Sequence, residues 1–334
     1  MSDRPNPTST TGRDRRLRLK VSLSLAMAVL AAAAYGADAL VVPTRVQPAL
    51  SLAPAHLTGK PPPLRGAAPI PLPSRSGAAR RPVVHAPTAI LVDLRSGMVL
   101  YLKNPYRRRP IASITKIMTA MLVLEHSNLS DVVRVSRRAA RAEPIKLGLR
   151  VGERITVRNL LWGLLLWSGN DAAVALAEHV SGTVPRFDRL MNKEARKLGM
   201  DETNFASPNG LNDRGRSTVV DVATMAGAAL SDPTFARMVA TRKHRIPGPP
   251  RQVHRLRNLN EILFRYPGAT GVKTGYTTLA GNCVVASATR VGRSLLAVVL
   301  GDPARTHWRF AYADVTKLLN YGFGLQLNVL KSPG

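Results

Sequence analysis

Three short groups of residues carry side chains that could do covalent chemistry together. The first is Ser113-Ile114-Thr115-Lys116, a hydroxyl and an amine three positions apart. On a helix, positions i and i+3 share a face, so the amine can reach the hydroxyl. The flanking residues Ile111, Ala112, Ile117, Met118, Met121, Leu122 and Leu124 make residues 113–126 apolar on nearly every side, the mark of a buried helix. A lysine opening such a helix is costly unless it is used or paired. Burial and nearby cations lower a lysine pKa and free the neutral amine to act as a base. Ser113 would also face the positive end of the helix dipole, where a developing oxyanion is favoured. The chemistry this suggests is acyl transfer through a serine nucleophile.

The second group is Ser168-Gly169-Asn170, between the apolar run Leu164–Trp167 and a predicted helix. It offers a hydroxyl and an amide to a polar cleft. The third is Lys273-Thr274-Gly275, after Gly271-Val272 and before Tyr276. On an edge strand Lys273 and Gly275 point one way and Thr274 the other. Gly275 would let a substrate backbone come close. Each group alone is more often a turn or a helix cap. Their order and their separations, 55 residues from 113 to 168 and 105 from 168 to 273, point to one site.

The elements that must position these residues can be read from periodicity. Residues 88–93 and 98–102 are apolar runs joined by Arg95-Ser96-Gly97, which predicts a β-hairpin. Residues 282–290 and 294–300, split by Val291-Gly292-Arg293, predict a second hairpin of buried strands. Helical spacing covers 158–167, 170–180, 184–198 and 219–230, and a last helix over 308–320 that stops before Gly322. Strands first and last with helices between predict an α/β chain of the α+β kind. One antiparallel sheet is built from both chain ends, flanked by helices and carrying an inserted helical subdomain.

Composition narrows the setting. The 334 residues include 25 prolines, many of them before residue 90. The formal charge of +28 fits a protein near an anionic surface, or simply an arginine-rich solvated one. No zinc-finger, RNA-recognition or homeodomain pattern supports nucleic acid as a partner. Cys283 is the single cysteine, which excludes an intramolecular disulfide, and its apolar neighbours predict a buried residue. The seven histidines form no HExxH pair, so neither a metal nor another cofactor is expected. Arg13, Arg15, Arg16, Arg18 and Lys20 precede an apolar run from Val21 to about Ala34 and the small residues Gly36-Ala37-Asp38-Ala39. That order predicts an export signal over 1–42, cleaved after Ala39 or retained as an anchor. Residues 43–84, with Pro61-Pro62-Pro63, predict an extended linker. A catalytic domain over 85–324 and a short tail over 325–334 complete the expected organisation.

Longer stretches carry a family likeness. Ala112–Thr119, Leu164–Ala173, Ser207-Pro208-Asn209-Gly210-Leu211, Gly271–Thr277 and Leu318-Leu319-Asn320-Tyr321-Gly322-Phe323 resemble the low-molecular-mass penicillin-binding proteins, the serine D-alanyl-D-alanine carboxypeptidases. The likeness covers about residues 86–323. It implies a β-lactamase/transpeptidase-like fold and removal of the terminal D-Ala from peptidoglycan stem peptides, with β-lactams as covalent inhibitors. It further implies Ser113 as nucleophile, Lys116 as its base, and Ser168 and Asn170 as proton relay and substrate holder. Lys273 would supply a positive field, and Thr274 a hydrogen bond to the substrate carboxylate. The amides of Ser113 and Tyr276 would form the oxyanion hole, and Arg309 or Arg305 would hold the terminal carboxylate. Many members carry a further C-terminal β-rich domain and anchor. This chain ends 11 residues after Phe323, so any membrane attachment is expected at the N-terminus. With the export signal, the expected location is the periplasm or cell-wall space, either free or anchored to the cytoplasmic membrane by an N-terminal helix. The same machinery could cut cross-links as a DD-endopeptidase. A β-lactamase fits less well, because no Asp lies between Ser168 and Asn170 and no Glu-x-x-x-Asn segment follows before Lys273. A non-catalytic binding module of the envelope fits least.

Overall fold

The computed structural model describes residues 80–248, 253–303 and 308–325. The expected export signal, most of the linker, Arg305 and the tail beyond 325 lie outside them. Five strands form one antiparallel sheet: β1 (Thr88–Asp93), β2 (Val99–Lys103), β7 (Ala269–Thr277), β8 (Gly281–Arg290) and β9 (Arg293–Asp302). Their order is β2-β1-β9-β8-β7, so both chain ends build it and β7 is an edge. The central strands are apolar on both faces because both faces are covered. Ile90, Val92, Val285, Leu296, Val298 and Leu300 face the helical half of the molecule. Their neighbours Ala89, Leu91, Val284, Ala286, Leu295, Ala297 and Val299 face the last helix, α9 (Arg309–Gly324), through Ala311, Val315, Leu318 and Leu319.

The helical half contains α1 (Lys116–His126), α2 (Arg137–Ala140), α3 (Val157–Trp162), α4 (Asn170–Ser181), α5 (Val184–Lys197), α6 (Val219–Leu230) and α7 (Pro233–Ala240). The short α8 (Ile262–Arg265) leads back to the sheet. Ser136, Thr156, Thr183, Thr218 and Asp232 each accept a backbone amide at the start of α2, α3, α5, α6 and α7. Two ribbons interrupt the helices: β3 (Val132–Arg134) with β4 (Arg154–Thr156), and β5 (Lys243–Pro247) with β6 (Val253–Arg257). The expectation of an all-helical insert misses both. Three-residue strands have no measurable period. In β5 and β6 the exposed positions Lys243, Arg245, Arg255 and Arg257 mask a buried face of Ile246 and Leu256.

Two boundaries also differ from expectation. The last helix continues through Gly322 to Gly324. A side chain at Gly322 would come within 2.6 Å of Leu295 and 2.9 Å of Leu91, so this glycine lets the helix lie close on the sheet rather than ending it. Arg293 ends the helix instead, its Nη1 donating to the carbonyls of Gly322 and Leu325 at 2.7 and 3.0 Å. At the other end, Val84 is already buried. The amides of His85 and Ala86 donate to the buried Asp314 carboxylate at 2.6 and 2.7 Å, and the His85 ring stacks on Phe310. Packing therefore starts inside the last residues of the expected linker.

Candidate active site

Ser113 sits on a single turn of 3-10 helix, Ala112–Thr115, that runs directly into α1. Side chains three apart eclipse in a 3-10 turn, so Ser113 and Lys116 stand in line. Ala112 takes a positive φ of 47°, a conformation that a non-glycine residue holds only under constraint from its surroundings. Lys116 is fully buried. Its Nζ donates to Ser113 Oγ at 2.7 Å, Asn170 Oδ1 at 2.8 Å and the Asn209 carbonyl at 2.9 Å. Burial holds its pKa well below the ordinary lysine value; the charge of Lys273 pushes the same way and that of Asp171 opposes it.

Ser168 follows a one-turn π-helix, Gly163–Trp167, and takes the left-handed conformation at φ 65°, ψ 31°. This breaks the run of α3 and starts α4 two residues later, with Asn170 as its first residue. Such π turns recur at functional sites. The second lysine, Lys273 on β7, is also buried, and its Nζ donates to Ser168 Oγ at 3.1 Å and to the Thr274 carbonyl at 2.9 Å. Burial lowers its pKa to about 7.

Gly275 lines the cleft and also has an internal task. A Cβ there would lie 2.8 Å from the Ser113 amide nitrogen and 2.9 Å from both the Ile111 carbonyl oxygen and the Ile114 nitrogen. The missing side chain lets the Ser113 turn rest on β7.

These elements enclose a cleft of about 910 Å³. Ser113, Ser168, Asn170, Thr274, Gly275, Tyr276 and Arg309 line it. Lys116 and Lys273 stand behind Ser113 and Ser168, out of the cleft wall. Thr274 is nearly buried, Tyr276 is half exposed, and Arg309 lies at the exposed start of α9. Nine of the ten residues singled out from sequence thus meet in one region, although Arg309 makes no contact with the Ser113–Lys116 pair, and the tenth, Arg305, lies outside the described residues. Several lining residues carried no sequence signal. Pro144 and Ile145 form one wall. Trp308 and Tyr312 form another, with ring centroids 6.0 Å apart, and Trp308 reaches to 6.5 Å from Tyr276. Glu261 lies at the rim, paired with Arg257 and, at 3.6 Å, with Arg265. The Asn209 carbonyl comes from a turn-rich stretch that could be recognised only as a likeness.

A buried lysine against a serine hydroxyl, a second serine bridged to a second buried lysine, and an edge strand alongside bring together the groups that acyl transfer through a serine requires. Residues 75–304 match the family described as D-alanyl-D-alanine carboxypeptidase. This chain belongs to the D-alanyl-D-alanine carboxypeptidase family. It is 38% identical over 244 residues to the D-alanyl-D-alanine carboxypeptidase DacF of Bacillus subtilis, covering 71% of this chain and 62% of that protein. It is 36% identical over 269 residues to the D-alanyl-D-alanine carboxypeptidase of Streptomyces sp. K15, covering 74% of this chain and 90% of that one. The crystal structure of a D-alanyl-D-alanine carboxypeptidase from Mycobacterium tuberculosis superposes with a TM-score of 0.72 at 33% identity, over 76% of this chain and 96% of that one. The chain spans about three fifths of the Bacillus protein's length and nearly all of the other two. The fold is thus the penicillin-binding, DD-peptidase one, and the likeness of the five quoted stretches identified the family.

Proposed function

We propose that this chain is a serine-type carboxypeptidase that removes the terminal D-Ala from peptidoglycan stem peptides through an ester on Ser113. The observation that carries this reading is the fully buried Lys116 amine, 2.7 Å from Ser113 Oγ. In its neutral form the amine keeps Asn170 Oδ1 and the Asn209 carbonyl as acceptors and turns its lone pair to the Ser113 hydroxyl. Ser113 Oγ attacks the carbonyl carbon of the penultimate D-Ala and its proton passes to Lys116 Nζ. The amides of Ser113 and Tyr276 receive the oxyanion. Collapse breaks the peptide C–N bond, and the proton held by Lys116 passes by way of Ser168, which Lys273 holds in place, to the leaving amine, so that Lys116 is neutral again. Water then attacks the ester carbonyl, and Ser113 recovers its proton as the peptide acid leaves. Thr274, the positive field of Lys273 and Arg309 at the rim suit a substrate with a free terminal carboxylate. The N-terminal segment 13–42 has the composition to carry the chain across the cytoplasmic membrane, where this substrate lies, and could also tether it there.

Intact mass after exposure to a penicillin tests the nucleophile: one adduct is expected on the peptide holding Ser113, and none in Ser113→Ala. An adduct elsewhere would sink the assignment. The substrate is tested by D-Ala release from a pentapeptide ending in D-Ala-D-Ala against its C-terminal amide. The acid should be cut much faster, and Thr274→Val should narrow the difference. Equal rates would turn the assignment to a DD-endopeptidase, whose scissile bond is internal to a cross-link.

A further inference from the structure

The stretch from Glu143 to Leu149 forms a wall of the cleft through Pro144 and Ile145, yet it belongs to no helix or strand. Two consecutive residues at the start of α4 hold it. The Asn170 amide nitrogen donates to the Ile145 carbonyl at 2.7 Å, and its side-chain Nδ2 donates to the carbonyls of Glu143 and Pro144 at 3.0 and 2.9 Å. Asp171 accepts the amides of Leu147 and Ala172 on Oδ1, both at 2.9 Å, and those of Gly148 and Leu149 on Oδ2 at 2.9 and 3.1 Å. Asp171 is fully buried. A buried carboxylate is expensive unless hydrogen-bonded, and here four backbone amides satisfy it. Three of the four belong to the strap.

The strap in turn settles which way the Asn170 amide faces. With Nδ2 given to two strap carbonyls, Oδ1 is left for the Lys116 amine at 2.8 Å. With the amide turned over, an NH2 would face an amine and an oxygen would face two carbonyls. We propose that Asp171 is a positioning residue for acyl transfer: its carboxylate seats the 143–149 strap, and the strap fixes Asn170 so that Oδ1 stays on Lys116. This rests on Lys116 acting as the base of Ser113.

The charge of Asp171 gives the proposal a signature that loss of packing alone would not. The charged groups that act on Lys116 are Lys273 on β7 and Asp171 on α4. Its other neighbours, the Ser113 hydroxyl, the Asn170 amide and the Asn209 carbonyl, are neutral at the pH of interest. Asp171→Asn removes the negative charge and loosens an acceptor, and both changes favour the unprotonated amine. The acid limb of the acylation rate, which follows deprotonation of Lys116, therefore moves to lower pH.

The experiment measures acylation of the full chain by a fluorescent penicillin across pH, resolving the binding step from the chemical step. In Asp171→Asn the chemical step should fall at least about tenfold, because the charge-assisted hydrogen bonds that seat the strap are weakened. Penicillin affinity should change much less, and the acid limb should move down. A normal chemical step, or a slower one with an unmoved acid limb, overturns the proposal. Hydrogen exchange on the unmutated chain gives a second reading that does not depend on the variant folding. The amides of Leu147, Gly148 and Leu149 should be protected although they lie in a loop, and free exchange there overturns the proposal too. Absence of any Ser113 adduct in the unmutated chain would instead refute the acyl-transfer reading and leave strap protection as a separate result.

Discussion

Gly275→Ala tests how Ser113, the proposed nucleophile, is held. The new methyl carbon would lie 2.8 Å from the Ser113 nitrogen and 2.9 Å from Ile111 O and Ile114 N. Non-bonded contacts of this kind settle near 3.5 Å, so the shortfall is about 0.7 Å. The crowded atoms are all backbone, on a hydrogen-bonded strand and a helical turn, so no side-chain rotation relieves them. The nucleophile turn must retreat from β7. Overpacking of this sort costs about 1–3 kcal/mol. For a domain of this size that lowers Tm by roughly 2–12 °C, at about 2–4 °C per kcal/mol. A displacement approaching 1 Å at the attacking atom costs on the order of 100-fold in rate. Acylation of Ser113 should therefore slow by roughly ten- to a hundredfold while penicillin affinity changes little. Calorimetry and stopped-flow acylation read both quantities. Unchanged Tm with near-normal acylation would refute the contact. Unchanged Tm with weakened penicillin binding would show that the glycine serves the ligand instead, as its place on an edge strand first suggested.

Three further outcomes follow from the buried lysines. Lys116→Arg keeps a cation but cannot give up its proton, so acylation should fall by the roughly 10²–10⁴-fold that a general base contributes; near-normal acylation would remove Lys116 from that role. Lys273, lowered to about 7 by burial, loses its charge as pH rises through that value. KM for a substrate ending in a carboxylate should rise above about pH 7 while that of the amide stays flat; parallel curves would refute the role of Lys273 as a carboxylate field. The same shift bears on stability. An unfolded lysine keeps its proton to about pH 10.4. Between about 7 and that value the unfolded chain binds more protons than the native one, and Lys273 makes stability increase with pH. Melting curves across the window, compared with Lys273→Met, should show that slope reduced, the remainder coming from Lys116, whose pKa burial also lowers.

Much of this site was legible because it is written in local patterns. An apolar stretch around Ser113-x-x-Lys116 already requires a buried helix and a buried amine, and the structure has both. The two hairpins at the chain ends appear where alternation and turn residues place them, within one or two residues. The ribbons between α-helices were not legible, since three residues such as Val132–Arg134 carry no period of their own. Ser168 reads as an ordinary loop serine. In the fold Leu164, Leu165 and Leu166 are buried in the core within a π turn, and Ser168 follows it in the left-handed conformation at the cleft.

The sequence by itself determined the order of the three motifs, the family, the antiparallel sheet closed by both chain ends, and which side chains could do acyl transfer. These follow from residue type, spacing and period, which are properties of the chain before it folds. Tertiary structure alone decided the partners. It set Lys273 against Ser168 across 105 residues, brought the Asn209 carbonyl to Lys116, tied the Glu143–Leu149 strap to Asp171, and gave Gly275 and Gly322 to internal packing. A hydrogen bond or a close backbone approach between distant segments depends on where two elements stop relative to each other in space. No local pattern records that distance.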